Sequence, residues 1–212
     1  RLAFAAVAGQ RGETASVVLS LGLGLTVLAT IGQIDSNLRA VISEELPDRA
    51  PAFFVVDIQN SQLDAFTETV NSQASVDKID TAPMLRGLIT KINGVSAKEL
   101  MGDHWVVSED RGVSYFASPP ARNNIVDGEW WAAEYTGPPL MSFSANEAAE
   151  IGLKIGDELT VNILGRDLTA KIASFHAVEF SDMAINFVMI WNPAALQNAP
   201  HSHLATIYAA EG

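Results

Sequence analysis

Two histidines near the C-terminal end, His201 and His203, stand on either side of one serine. Imidazoles two apart on a strand share a face, and together they offer two nitrogens to a zinc ion. A zinc centre needs a third ligand, and no His, Asp or Glu adjoins the pair. The pair reads more simply as a solvated turn after Pro200. Asp103-His104 has the types for a metal ligand or general base, but it lies in a loop-like stretch and reads as a surface histidine beside Trp105. Glu179 and Asp182 have the types for an acid and base pair. In a chain with 25 acidic residues such pairs arise without a role. Trp130-Trp131 could line an apolar groove, although one ring in the core and one at the surface is the plainer arrangement.

Other chemistry is missing at the level of residue type. The chain has no cysteine, which excludes disulfides, thiolate zinc sites and a thiol nucleophile. It contains no G-x-x-x-x-G-K-[ST] phosphate loop and no G-x-S-x-G elbow. The "GLGL" at 22–25 is not a dinucleotide fingerprint, since the third glycine and a preceding strand are missing. The 13 Lys and Arg are scattered singly against a net charge of −12, so no basic stripe is available for nucleic acid. The expectation is a non-catalytic chain without metal or cofactor.

The elements give more. Residues 14–34, "TASVVLSLGLGLTVLATIGQI", carry no charge. As a helix at ~1.5 Å per residue they reach roughly 30 Å, the hydrocarbon thickness of a bilayer. The run is too long for a signal peptide, and Gln33-Ile34-Asp35 is a poor cleavage site. It reads as a membrane span over 15–34. Its first fourteen residues carry Arg1, Arg11 and Glu13, and nearly all of the negative charge follows it. The positive-inside rule therefore puts 1–14 in the cytoplasm and the acidic remainder outside. Ser16, Ser20 and Gly24 recur every four residues and form a strip of small side chains, suited to close approach of another membrane helix. Beyond the span, Ile34, Leu38, Val41, Ile42 and Leu46 keep helical spacing until Pro47 and Pro51. This predicts an amphipathic stalk within 35–50.

From residue 51 the pattern becomes α+β. "AFFVVDI" (52–58) reads as a buried strand. Leu63, Phe66 and Val70 share one face of a following helix. "SVDKIDTAPMLRGLITKING" is β-rich and ends on Asn93-Gly94, a hairpin signal. "VSAKELMGDHW" reads as a short helix and loop, and "GVSYFASPP" as a strand stopped by two prolines. "PPLMSFS" reads as a strand. "SANE" at 144–147 has capping-box spacing: Ser144 would accept from the Glu147 amide while the Glu147 side chain reaches back. "DELTVNILGRDLTAKIASF" alternates around Gly165 as a hairpin. "AINFVMIW" (184–191) and "HLATIYA" (203–209) are continuous apolar runs suited to central strands.

These segments carry a family likeness. In order they are "SVVLSLGLGLT", a stalk, "ELPDRAPAFFVVDIQ", "PMLRGLITKINGV", "GEWW", "LMSFSANEAAEIGLKIGDELTVNILGRDLTAKI", "INFVMIWNP" and "PHSHLATIYA". The series resembles the permease subunits of bacterial ABC exporters of the FtsX-like, MacB-type superfamily, and most closely the YbbP-like group. The resemblance covers nearly the whole chain. It implies a permease fragment: a membrane helix followed by a periplasmic domain, residues 35–212 standing outside the inner membrane. It implies a porter-like α/β lobe from 51–94 and 168–212, with a β-rich lobe inserted over 95–167. It implies a separate cytoplasmic ATPase subunit, further membrane helices of the same permease, and room for a permease dimer. The work would be mechanotransmission, for export or extraction of hydrophobic or lipid-linked cargo. The rival expectation is a single-pass anchored module that binds or adapts an extracytoplasmic partner.

Overall fold

The computed structural model describes residues 11–45, 51–120, 123–178 and 185–210, and within the first helix the side chains of 15–37. Two units emerge, one ending at Asp48 and one running from Arg49. Among the described residues the first is a single helix, α1, Arg11–Glu45. No proline interrupts it, and at ~1.5 Å per residue it reaches about 50 Å, more than a bilayer core requires. It passes from the apolar run into the stalk segment without a break.

The second unit is a mixed α/β sheet domain. Its opening is a split β-α-β unit: β1 (Phe53–Gln59), helix α2 (Leu63–Asn71) and the long strand β2 (Val76–Ile92). The last strand, β10 (Ser202–Ala209), lies between β1 and β2 and is antiparallel to both. Leu63, Phe66 and Val70 are the half-buried apolar residues of α2, as their spacing predicts. The continuous run of β10 fits its central place, where a strand is covered on both faces. β1 departs from expectation. It is an edge strand on which only Ile58 is buried, while Phe53, Phe54 and Val56 are 66, 52 and 60% exposed.

Strand β2 then changes partners. Residues 76–84 pair with β10, and residues 85–92 pair with β4 (Arg111–Tyr115) on one side and β7 (Glu158–Ile163) on the other. The second half belongs to a closed ring. Its order is β2, β4, β9 (Met189–Trp191), β6 (Leu140–Ser144), β8 (Arg166–His176), β7 and back to β2. Closure removes the unpaired edges that open sheets must protect. The ring interior holds the main core, including Ile89, Val113, Phe143, Leu159, Ile172 and Trp191. Short strands β3 (Val95–Ser96) and β5 (Ile125–Gly128) attach outside the ring to β2 and β8. The boundary expected near 168 falls inside β8, which pairs with β5, β6 and β7.

Local chemistry explains the turns. Asn93 and Gly94 both have positive φ, 49° and 81°, and close a two-residue hairpin between β2 and β3. Such a turn needs left-handed residues at both centres. Asn93 also anchors a second loop. Its side chain accepts from the Glu158 amide at 2.8 Å and donates to Asp157 at 3.0 Å, while Asp157 accepts from the Lys154 amide at 2.8 Å. The "GLKIGDE" segment is thus a turn tied across the ring to the β2 hairpin.

Beyond the short helices α3 (Ala97–Met101) and α4 (Trp105–Ser108), helix α5 (Ala145–Ile151) begins at Ser144, as its sequence spacing predicts. The bonding differs. Ser144 makes no side-chain bond to a backbone amide; its hydroxyl donates to the Glu147 carboxylate. Both side chains are buried, so they satisfy each other first.

Candidate functional site

The expected strip lies on α1. Ser16, Ser20 and Gly24, four residues apart, stand one above another on a helix. A Cβ built on Gly24 meets nothing within 4 Å, and no residue of the span Ala15–Asn37 is buried. Among its exposed residues are Val17, Leu21, Leu28 and Ile34. The two threonine hydroxyls are satisfied inside the helix. Thr26 donates to the Gly22 carbonyl and Thr30 to that of Thr26, each at 2.8 Å. A hydroxyl bonded in this way needs nothing from hydrocarbon. Of the expected stalk face, Leu38, Val41 and Ile42 lie on the helical backbone, with side chains outside the described set, and Leu46 lies outside the described residues.

The histidine pair is not in a solvated turn. His201 and His203 are both half-buried, with ring centroids 5.1 Å apart. His201 Nδ1 donates to the Ala199 carbonyl at 2.7 Å, and its Nε2 accepts from the Tyr115 hydroxyl at 3.0 Å. Both nitrogens are therefore engaged and neither is offered to a metal. Burial, and then the neighbouring His201, lower the pKa of His203. Burial raises that of Tyr115. Among the described residues no cluster of three or more metal-ligating side chains occurs.

His104 has a structural post. Its Nδ1 accepts from the Val106 amide at 3.3 Å and so caps α4 (Trp105–Ser108), while its Nε2 lies 3.4 Å from Glu150. Trp105 donates to the same carboxylate at 3.1 Å, and Arg111 stacks 4.6 Å from the Trp105 ring. Trp130 and Trp131 stack with centroids 4.1 Å apart, Trp131 buried and Trp130 half-exposed. Their ring N–H groups donate to Ala117 and Phe116 carbonyls. The aromatic pair pins a loop. Glu179 and Asp182 lie outside the described residues.

One constellation escaped the sequence reading. Ser142 on β6 donates to His176 Nδ1 on β8 at 2.8 Å, and His176 Nε2 donates to the Phe187 carbonyl at 2.9 Å. The types match a nucleophile and its base. The setting does not, because Ser142 and His176 are fully buried and no reacting atom reaches them. The signal was the alternation of β8. Ala170, Ile172, Ser174 and His176 are all buried, and the register shift after Ile172 turns Ser174 and His176 to the face that carries Ser142. Burial lowers the pKa of His176, opposed by its backbone bond to Phe187 and the nearby Glu147 charge.

No family model matches the chain. It is similar, at 22% identity over 97% of its residues, to the uncharacterized ABC transporter permease YbbP of Escherichia coli strain K12. The chain spans about a quarter of the length of that relative. The likeness read from the motifs and this alignment point to the same group of permeases, and among the described residues the chain has one helix long and apolar enough to cross a membrane.

Proposed function

We propose that the chain is a non-catalytic segment of a bacterial ABC transporter permease. The helix α1 crosses the inner membrane, and the domain from Arg49 works on the periplasmic side. A separate cytoplasmic ATPase subunit supplies the motion. The stalk carries it outward, and the domain passes it to hydrophobic or lipid-linked cargo. Within the domain, residues 51–94 and 168–212 make the porter-like lobe, supported by the β1–β10–β2 sheet with α2, and 95–167 the inserted β-rich lobe. Ser16, Ser20 and Gly24 receive another helix of the same permease.

One observation carries this reading. A 23-residue apolar segment with no buried residue precedes a compact domain in a chain collinear with a permease over nearly its whole length. An apolar helix of that kind in water would be a large exposed patch. In a bilayer it is satisfied. The sequence lacks cysteine, which permits a clean test. Single variants Gly12→Cys and Leu164→Cys are exposed to a membrane-impermeant maleimide in intact cells with a permeabilised outer membrane. The expected result is labelling at 164 in intact cells and at 12 only after lysis. Labelling at 12 in intact cells, or none at 164, overturns the orientation.

A further inference from the structure

A cavity of about 220 Å³ lies against one face of the β1–β10–β2 sheet. Ala82, Phe116, Phe187 and Tyr208 give it apolar walls, and Lys78, Asp80, Asn123 and Thr206 are among its polar lining. Asn123 and Thr206 are 4% and 0% exposed, yet Asn123 Nδ2 and Thr206 Oγ1 have no hydrogen-bond partner. Buried polar atoms are almost always partnered. Two orphans on the wall of one cavity therefore mark a missing atom. An amide nitrogen can only donate and a hydroxyl can donate, so that atom is an acceptor. Water suits the space poorly, because an ordered water wants about three polar partners, and the ionic groups of the wall, Lys78 and Asp80, bond each other.

Charge narrows the choice. The ionic groups of the lining, Lys78 and Asp80, pair with each other at 2.7 Å and leave no net charge. Phe54 pairs opposite Thr206 and so shares its sheet face. It is exposed, and it extends the apolar surface next to the cavity. We infer that this cavity binds a small apolar molecule carrying an uncharged carbonyl, whose oxygen accepts from Asn123 and Thr206. The volume lies below that of drug-sized pockets and holds roughly ten non-hydrogen atoms. The site is independent of the proposed transport role.

The probe is phenylacetamide, followed by equilibrium dialysis against the 212-residue chain in lipid nanodiscs, with empty nanodiscs as the blank. Saturable binding is expected. Thr206→Val and Asn123→Leu should each weaken it roughly tenfold, and Ala82→Leu should abolish it by filling the space. Ethylbenzene, which lacks the oxygen, should compete roughly tenfold less well. Thr206→Val should also raise the melting temperature, since it removes an unpartnered hydroxyl with little change of shape. That near-isosteric variant keeps the test sound if Asn123→Leu does not fold. Uptake no greater than into empty nanodiscs overturns the site. So does binding indifferent to Thr206→Val, or equal competition by ethylbenzene.

Discussion

Leu164 holds φ at 51° beside Gly165 at 81°, in the two-residue turn between β7 and β8. Left-handed backbone costs a branched side chain about 1 kcal/mol or more, and Leu164 is 62% exposed, so burial returns little. Leu164→Asn is expected to raise stability by about 1 kcal/mol, seen as a higher urea midpoint. Gly87 has the opposite constraint. A Cβ there would lie 2.7 Å from Val161 and 3.1 Å from Val113, where β2 is paired on both sides. Gly87→Ala should cost about 1–3 kcal/mol by overpacking; an unchanged midpoint would mean that the ring relaxes freely there. His176 sets a pH response. Its folded pKa lies below the unfolded value of about 6.5. The unfolded chain then binds the proton first, so this contribution is complete above about pH 6.5 and is lost as pH falls toward the folded pKa. His203 acts in the same direction. Urea midpoints from pH 7.5 to 5 should fall, and His176→Asn should flatten the slope. Asn93-Gly94 was legible because its residue types name their turn. Leu164 was not, because nothing in a leucine announces a positive φ.

Elements were legible where local pattern decides them, and less so where neighbours do. The half-buried face of α2 follows from its spacing. The strand at 52–58 was foreseen, but its exposure was not, since hydrophobicity cannot say that β10 is its one neighbour among the described residues. The run 184–191 is apolar but for Asn186, yet among its described residues only Met189–Trp191 forms strand. Its partners β4 and β6 each meet it at three positions, so the pairing is three residues long. For α1, Gly24→Ile is expected to disturb assembly between membrane helices, because a branched side chain blocks close approach. Unchanged assembly and transport would mean that the strip is no interface. A Gly-Gly insertion after Arg39 should uncouple ATP turnover from transport by softening the stalk. Undiminished transport would remove the mechanical role of that segment.

On the scale of the molecule, a long apolar helix followed by a mixed α/β sheet domain was legible in the sequence, while the closure of the ring stayed hidden. Its seams join residues far apart, such as Gly87 with Ile163 and Val113 with Met189, and no periodicity records such pairings. The seventeen residues of β2 run without interruption from the β10 ladder into the ring. A tug along that line stretches many backbone bonds at once, in shear, and they yield together or not at all. A tug across it, at the exposed strand β1, peels bonds away singly, as a zip opens. The domain is therefore stiff along one axis and compliant across it. Pulled from its ends in single-molecule extension, it should shed β1 at low force and surrender the ring only at a much higher one.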